Sequence, residues 1–170
     1  MRMKQLLHPG AHWVFRIQGY FLFGILGIFF GVWIIGPLVG FILMSAGISA
    51  NSVVLVLLSS IALYILFVLV ASEIYARMSY SRWFYEFTDD GLKLERGIIW
   101  KRYSNVPYER IQNVDIHRGI IARMLGFSSI MIQTAGYSSQ PHAEGYIPAV
   151  DMHHAEQIRT FVMKKVTSRK

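Results

Sequence analysis

The chain has 170 residues, 54% of them hydrophobic, a formal net charge of +7 and no cysteine. That length accommodates one small domain beside a membrane segment and leaves no room for a second soluble domain. The lack of cysteine excludes disulfides, thiolate metal sites and cysteine nucleophiles. All ten acidic residues lie from Glu73 onward, and no Lys, Arg, Asp or Glu occurs between Arg16 and Glu73. A soluble core of this size has no need of so long a neutral stretch, but a bilayer does, because a charge at its centre costs about 2.5–3.5 kcal/mol on insertion scales.

In chain order, residues 1–16 form a cytoplasmic N-terminal segment carrying Arg2, Lys4 and Arg16. The apolar run behind it is far longer than the centre of a signal peptide and has no small-residue cleavage site, so it reads as a retained anchor. Residues 17–44 are the first predicted transmembrane helix, since at 1.5 Å per residue roughly 20 residues cross a ~30 Å hydrocarbon core. Pro37 is expected to kink it. Residues 45–52 form a short external loop without charge, in which Asn51 or Ser52 suits the N-cap of a second helix over residues 53–73. So short a linker makes the two helices antiparallel neighbours. Basic residues precede the first helix and, as Arg77 and Arg82, follow the second, while the loop has none. The positive-inside rule therefore predicts a multi-pass protein of the cytoplasmic membrane with both termini cytoplasmic.

Trp13, Arg16, Tyr75, Arg77 and Trp83 fall near the predicted cytoplasmic boundary, where amphipathic rings and long basic side chains anchor depth. Gly27 with Gly31, and Gly36 with Gly40, form small-xxx-small pairs that let another helix approach closely; packing within the hairpin is the preferred reading over self-association. Ser59, Ser60 and Tyr64 are expected to bond to the partner helix or to their own carbonyls. The spans hold no ionisable residue before Glu73, which argues against transport by this chain alone.

After Arg82 the period changes to alternation, with Trp83, Tyr85 and Phe87 on one side and Phe84 and Glu86 on the other, which is a strand signal. Asp89-Asp90-Gly91 predicts a type I′ hairpin turn with positive φ, and Leu92 and Leu94 open the return strand. Gly97 breaks that strand, residues 98–104 begin another, and Pro107 marks a loop before a strand over residues 110–117. Residues 119–125 suit two turns of helix closed by Gly126, followed by a strand over residues 127–134, a polar loop over 136–142 and a short strand over 143–147. Pro148 precedes a helix over about residues 151–165, with Asp151 as N-cap, Lys164 and Lys165 at its end, and Ala155, Ile158, Phe161 and Val162 as its apolar stripe.

The run YEFTDDGLKLERGIIWKRYSNVPYERIQNVDIHRGIIARMLGFSSIMIQTAG resembles the bacterial PH-like domain family found in YdbS-like membrane proteins. The parts that carry the resemblance are Thr88-Asp89-Asp90-Gly91, residues 110–115 with Gln112 and Val114, Leu125-Gly126 and Thr134-Ala135-Gly136. It implies an α+β membrane protein: a two-helix transmembrane hairpin followed, over residues 80–167, by a PH-like antiparallel β-barrel or sandwich capped by a C-terminal helix. It implies no settled activity. The alternation yields six strands, one short of the seven that the resemblance implies.

Among candidate sites, Arg96, Lys101, Arg102, Arg110 and Arg118 are basic residues that could face lipid or a partner, alongside Arg123 and Arg159. The bland alternative is a solvated positive face. An acidic first turn argues against the phosphoinositide pocket of eukaryotic PH domains, since fold alone does not transfer a site. Asp151, His153, His154 and Glu156 are the most metal-like cluster, but the HExxH spacing is missing and helix capping explains them better. Asp115, His117 and Ser104 make a triad only on paper, and no nucleotide or nucleophile-elbow motif is present. Aromatic and basic residues alternate in Trp100-Lys101-Arg102-Tyr103, yet membrane tethering speaks against nucleic acid. The expectation is a non-enzymatic scaffold or interaction module at the inner leaflet, without a cofactor, in contact with membrane lipid and binding a protein partner or another copy of itself as a homo-oligomer. The alternatives are a sensor of anionic lipid surfaces and, less favoured, a metal-dependent membrane enzyme.

Overall fold

The computed structural model describes residues 4–47, 49–134 and 145–168. Arg2, the Ala135-Gly136 part of the motif, the predicted polar loop and the first two residues of the predicted last strand lie outside the described residues. The chain divides into two units, a helical one over Phe15–Ala76 and a sheet unit made of Met1–Val14 together with Arg77–Lys170. The helical unit is thus an insertion within the sequence of the sheet unit.

The helices are α1 (Ala11–Phe30), a π-helical segment (Gly31–Ile35), α2 (Gly36–Ser45) and α3 (Ala50–Ser81). The π segment is the form taken by the expected irregularity at Pro37. Proline has no N–H and crowds the carbonyl four residues back, and the wider turn just ahead of it, closed by Gly36 N–H to the Gly31 carbonyl, accommodates both. α3 begins earlier than expected. Ser49 serves its first turn, accepting at its carbonyl from the N–H groups of Ser52 (3.0 Å) and Val53 (3.1 Å), so that Asn51 and Ser52 lie inside the helix and do not cap it. α3 also runs on to Ser81, because Glu73 and Arg77 end the apolar run without lowering helix propensity.

Within the helical unit the two long helices pack together through small residues and a few polar links. Tyr64 donates its hydroxyl proton to the Gly24 carbonyl (2.6 Å), and its ring lies where a Cβ on Gly27 would have to be. Gly19 makes the same room for Ser72. Phe23 meets the edges of Phe67 and Tyr75, and Arg16 Nε donates to Glu73 Oε2 at 2.6 Å. Ser59 and Ser60 both bond back to the Val56 carbonyl.

The sheet unit has two antiparallel sheets. The first contains β1 (Gln5–Leu6), β2 (Phe84–Phe87), β3 (Gly91–Arg96) and β4 (Arg102–Pro107) in that order; the second contains β5 (Ile111–His117), β6 (Phe127–Thr134) and β7 (Gly145–Asp151). A short helix α4 (Ile120–Met124) joins β5 to β6, and α5 (Met152–Thr167) ends the chain. The missing seventh strand is therefore β1, supplied from before the helices, with Gln5 opposite Tyr85 and Leu6 opposite Phe84. Two residues further on, His8 N–H donates to the Ala149 carbonyl of β7 at 3.0 Å. One short N-terminal segment thereby ties the two sheets together, and it is held further by Gln5 to His154 (3.1 Å) and Tyr80 to the Leu7 carbonyl (3.0 Å).

Trp83, Tyr85 and Phe87 are buried in the predicted phase, with Leu92, Leu94 and Val106 beside them and Ile130, Ile132 and Ile147 in the second sheet. α5 buries Ala155, Ile158, Val162 and Val166, and Phe161 meets Phe87 and Tyr108 edge-on. The Asp89-Asp90-Gly91 turn is not type I′, since positive φ occurs among the described residues only at Gly47, Gly97 and Gly126. Gly91 is needed for another reason: a Cβ there would collide with the Val106 carbonyl and Pro107 of the neighbouring strand. Residues 98–101, expected as the start of a strand, form a turn instead. β7 runs through Pro148, where the register with β6 shifts, and a bulge on an edge strand is where a missing N–H is tolerated.

Candidate functional site

The register of the first sheet brings one group of side chains to one end. Leu6 faces Phe84, Phe84 faces Glu95, and Glu95 faces Tyr103, so the end of the sheet that joins α1 and α3 is also the end from which the β3–β4 turn projects. Gly97 makes this turn possible: its φ is +119°, and a Cβ on it would strike the Trp100 carbonyl. The tip is Ile99 and Trp100, which are 83% and 87% exposed, more than any other large apolar side chain described. Arg82, just after α3, donates from Nη1 to the Ile98 carbonyl at 2.8 Å and braces the turn.

Arg96, Lys101 and Arg102 come together here. Arg96 lies directly opposite Arg102 across the β3–β4 pair, an arrangement that costs stability between like charges. Partial burial, and then Arg102, hold the Arg96 guanidinium below its ordinary pKa. Lys101 and Lys4 both reach Glu95, at 3.3 and 2.9 Å. The hydrogen bond from Lys4 is the main cause that holds the Glu95 carboxyl below its usual range, and Glu95 in turn raises Lys4. Arg110 and Arg118 are elsewhere: Arg110 follows the far end of β4, and Arg118 follows the opposite end of β5 from Arg110. The outer face of β2, β3 and β4 carries a shallow groove of about 280 Å³, lined by Phe84, Tyr103, Lys4, Glu86, Lys93 and Asn105 among others.

The predicted boundary residues divide. Trp13 and Arg77 are exposed, Arg16 is tied to Glu73, and Tyr75 lies against Phe23. Trp83 is only 6% exposed, in phase with Tyr85 and Phe87, and so is a core side chain with no free ring for a headgroup layer. Of the four predicted packing glycines, Gly27 faces Tyr64, whereas nothing lies within 4 Å of a Cβ built at Gly31 or Gly40, and only the Gly31 carbonyl is near one built at Gly36.

The metal-like cluster is taken up by local structure. The Asp151 carboxylate accepts from the N–H groups of His153 and His154 as the N-cap of α5, His154 bonds Gln5, His153 bonds Gln157, and Glu156 pairs with Arg159. Among the described residues no group of three or more metal-ligating side chains is placed to hold an ion. Asp115 accepts from Asn113 and Gln133, which leaves the paper triad without its orienting member. The sequence pattern pointed to Arg82 only as a flanking charge and to Trp100 only as part of an aromatic-basic run, and it did not single out Ile99 or the exposed tip. The legible signal was Gly97 ahead of the apolar tripeptide Ile98-Ile99-Trp100, followed by Lys101 and Arg102.

Comparisons with known proteins agree with this architecture. The family model described as Bacterial PH domain matches residues 16–166, which include α1 from Arg16 onward, all of α3 and every strand except β1. The UPF0699 transmembrane protein YdbT of Bacillus subtilis (strain 168) is 30% identical over 112 residues, 65% of this chain and 22% of that protein, so the chain spans about a fifth of the length of this curated relative. No solved structure gives a significant match. Two helices, Ala11–Leu43 and Asn51–Ser81, are long and apolar enough to cross a membrane. The chain belongs to the bacterial PH domain family, a family with no known catalytic activity.

Proposed function

We propose that this protein is a non-enzymatic interaction module fastened to the cytoplasmic membrane. In this reading the hairpin crosses the bilayer with both ends in the cytoplasm, and the sheet unit works at the inner leaflet, where it binds a protein partner or a second copy. The observation that carries it is the pairing of β1 with β2. One strand comes before the helices and the other after, so a folded sheet unit requires both ends of the hairpin to emerge on one side. The basic residues Lys4, Arg16, Arg77 and Arg82 flank the helices on that side, as the positive-inside rule asks. The groove on the first sheet and the outer edge of β4, which among the described residues pairs only with β3, offer contact surface for a polypeptide. Crosslinking the full chain in intact membranes tests this. A discrete crosslinked species is expected, and recovery of the chain alone at every crosslinker length contradicts it.

A second reading, attraction to an anionic lipid surface, is favoured by the convergence of Arg96, Lys101 and Arg102 on one turn. Vesicle binding of the sheet unit that ignores salt and anionic lipid content would sink it.

A further inference from the structure

We propose that the β3–β4 turn is a membrane wedge, with Ile99 and Trp100 entering the boundary between headgroups and acyl chains of an anionic leaflet and Arg82, Arg96, Lys101 and Arg102 forming a collar at the phosphates. The inference rests on the readings given above, that the hairpin crosses the membrane and that the basic residues meet lipid; it adds which side chains penetrate.

Four observations carry it. Ile99 and Trp100 are more exposed than Phe41, at 74% the most exposed large apolar side chain described on the two apolar helices. In water such a tip is costly, and Trp is the side chain best suited to an apolar-polar boundary. The tip is also held firmly, by the left-handed Gly97 and by the Arg82 bond to the Ile98 carbonyl, so that little ordering is required on insertion. Its position follows from the register: the turn leaves the sheet at the end where the chain passes into α1 and returns from α3. Finally, the collar is suited to anions. Arg96 and Arg102 face each other, and among the described residues neither has a carboxylate partner, while Glu95 is engaged by Lys4 and Lys101. Phosphates placed between the two guanidinium groups remove a repulsion that the isolated sheet unit must carry.

The absence of cysteine makes the test clean. Single-cysteine forms of the full chain, Trp100→Cys, Arg110→Cys and Ile61→Cys, are labelled with an environment-sensitive fluorophore and reconstituted into vesicles of phosphatidylcholine with or without phosphatidylglycerol. Quenchers attached to the acyl chains report depth. In anionic vesicles the label at position 100 is expected to be quenched several-fold more than the label at 110, which follows the far end of β4. The excess should shrink in neutral vesicles and at 1 M salt, where the Debye length is only about 3 Å. Strong quenching at position 61 with none at 100 overturns the wedge while leaving the hairpin reading intact. If the collar is still shielded from aqueous modification in that case, lipid attraction survives without penetration. Absence of quenching at 61 overturns the hairpin reading and the wedge with it. A label at 100 that stays exposed in vesicles and is shielded only in native membranes assigns the turn to a protein partner, and also overturns the wedge.

Discussion

The two units use the same residue types in opposite ways. In the sheet unit Leu92, Ile130 and Ile147 are fully buried, whereas in the helical unit Leu63 is 69% exposed and no part of the most apolar stretch of either long helix is buried. A helix that is hydrophobic all round needs an apolar surrounding, and for these two the chain itself does not supply it. The sheet unit thus supplies its own apolar interior, and for the helices the proposed bilayer would supply one. The few contacts that hold the helices together are correspondingly different from core packing: a glycine against a tyrosine, an ion pair, and the Tyr64 hydroxyl donated to the Gly24 carbonyl.

The largest test of this contrast is one substitution made in both places. Leu92→Ala empties a filled core position and is expected to cost about 2–5 kcal/mol, read from denaturant unfolding of the sheet unit in the full chain. In the proposed membrane hairpin Leu63→Ala should stay within about 0.5 kcal/mol, because there the side chain would meet the same hydrocarbon whether or not the helices are packed. Comparable losses at the two positions would break the comparison. Next in size is Gly27→Val, which forces Tyr64 from its seat and should destabilise helix association by about 1–3 kcal/mol, while Gly40→Val, with open space around it, should not. Helix-pair dissociation in detergent mixtures measures both.

A smaller effect is expected for Arg16 and Glu73, whose side chains are 27% and 32% exposed. A double-mutant cycle with alanine at each should give a coupling of about 1 kcal/mol or less, and additivity of the two changes would remove the ion pair from the account.

The smallest is a pH effect on the N-terminal strand. The Glu95 pKa is lowered on folding, so its contribution is present above the ordinary carboxyl value and is lost as the pH falls through the lowered one. Lys4 is raised, so its part holds below the ordinary ammonium value and is lost as the pH rises through the raised one. Acidification should loosen β1 in the native protein, seen as protease access near Gln5, and Glu95→Gln should abolish that dependence on the acid side.

The same contrast explains what could be read from the sequence. The helices were legible as a run without charge, and β2 from the alternation of Trp83, Tyr85 and Phe87. That alternation also identified Trp83 as core, but its closeness to the apolar run suggested a membrane anchor, and packing settled the conflict in favour of the sheet. β1 was illegible because Gln5 and Leu6 are too few to show a period and their partners lie on the far side of both helices. The lipid-facing candidates were only partly legible: Arg96, Lys101 and Arg102 meet because a turn falls where a strand was expected, whereas Arg110 and Arg118 are dispersed by the length of β5. Local pattern carried the secondary structure, and long-range pairing carried the site.

In the proposed arrangement a membrane-spanning hairpin interrupts a cytoplasmic sheet unit. Its most direct test is sided labelling of intact cells with a membrane-impermeant thiol reagent, using Ala46→Cys in the turn between the helices and Ser168→Cys after α5. The account predicts that position 46 reacts from outside and that position 168 reacts only after permeabilisation. Equal reactivity of the two positions, whether both from outside or both only after permeabilisation, would contradict it.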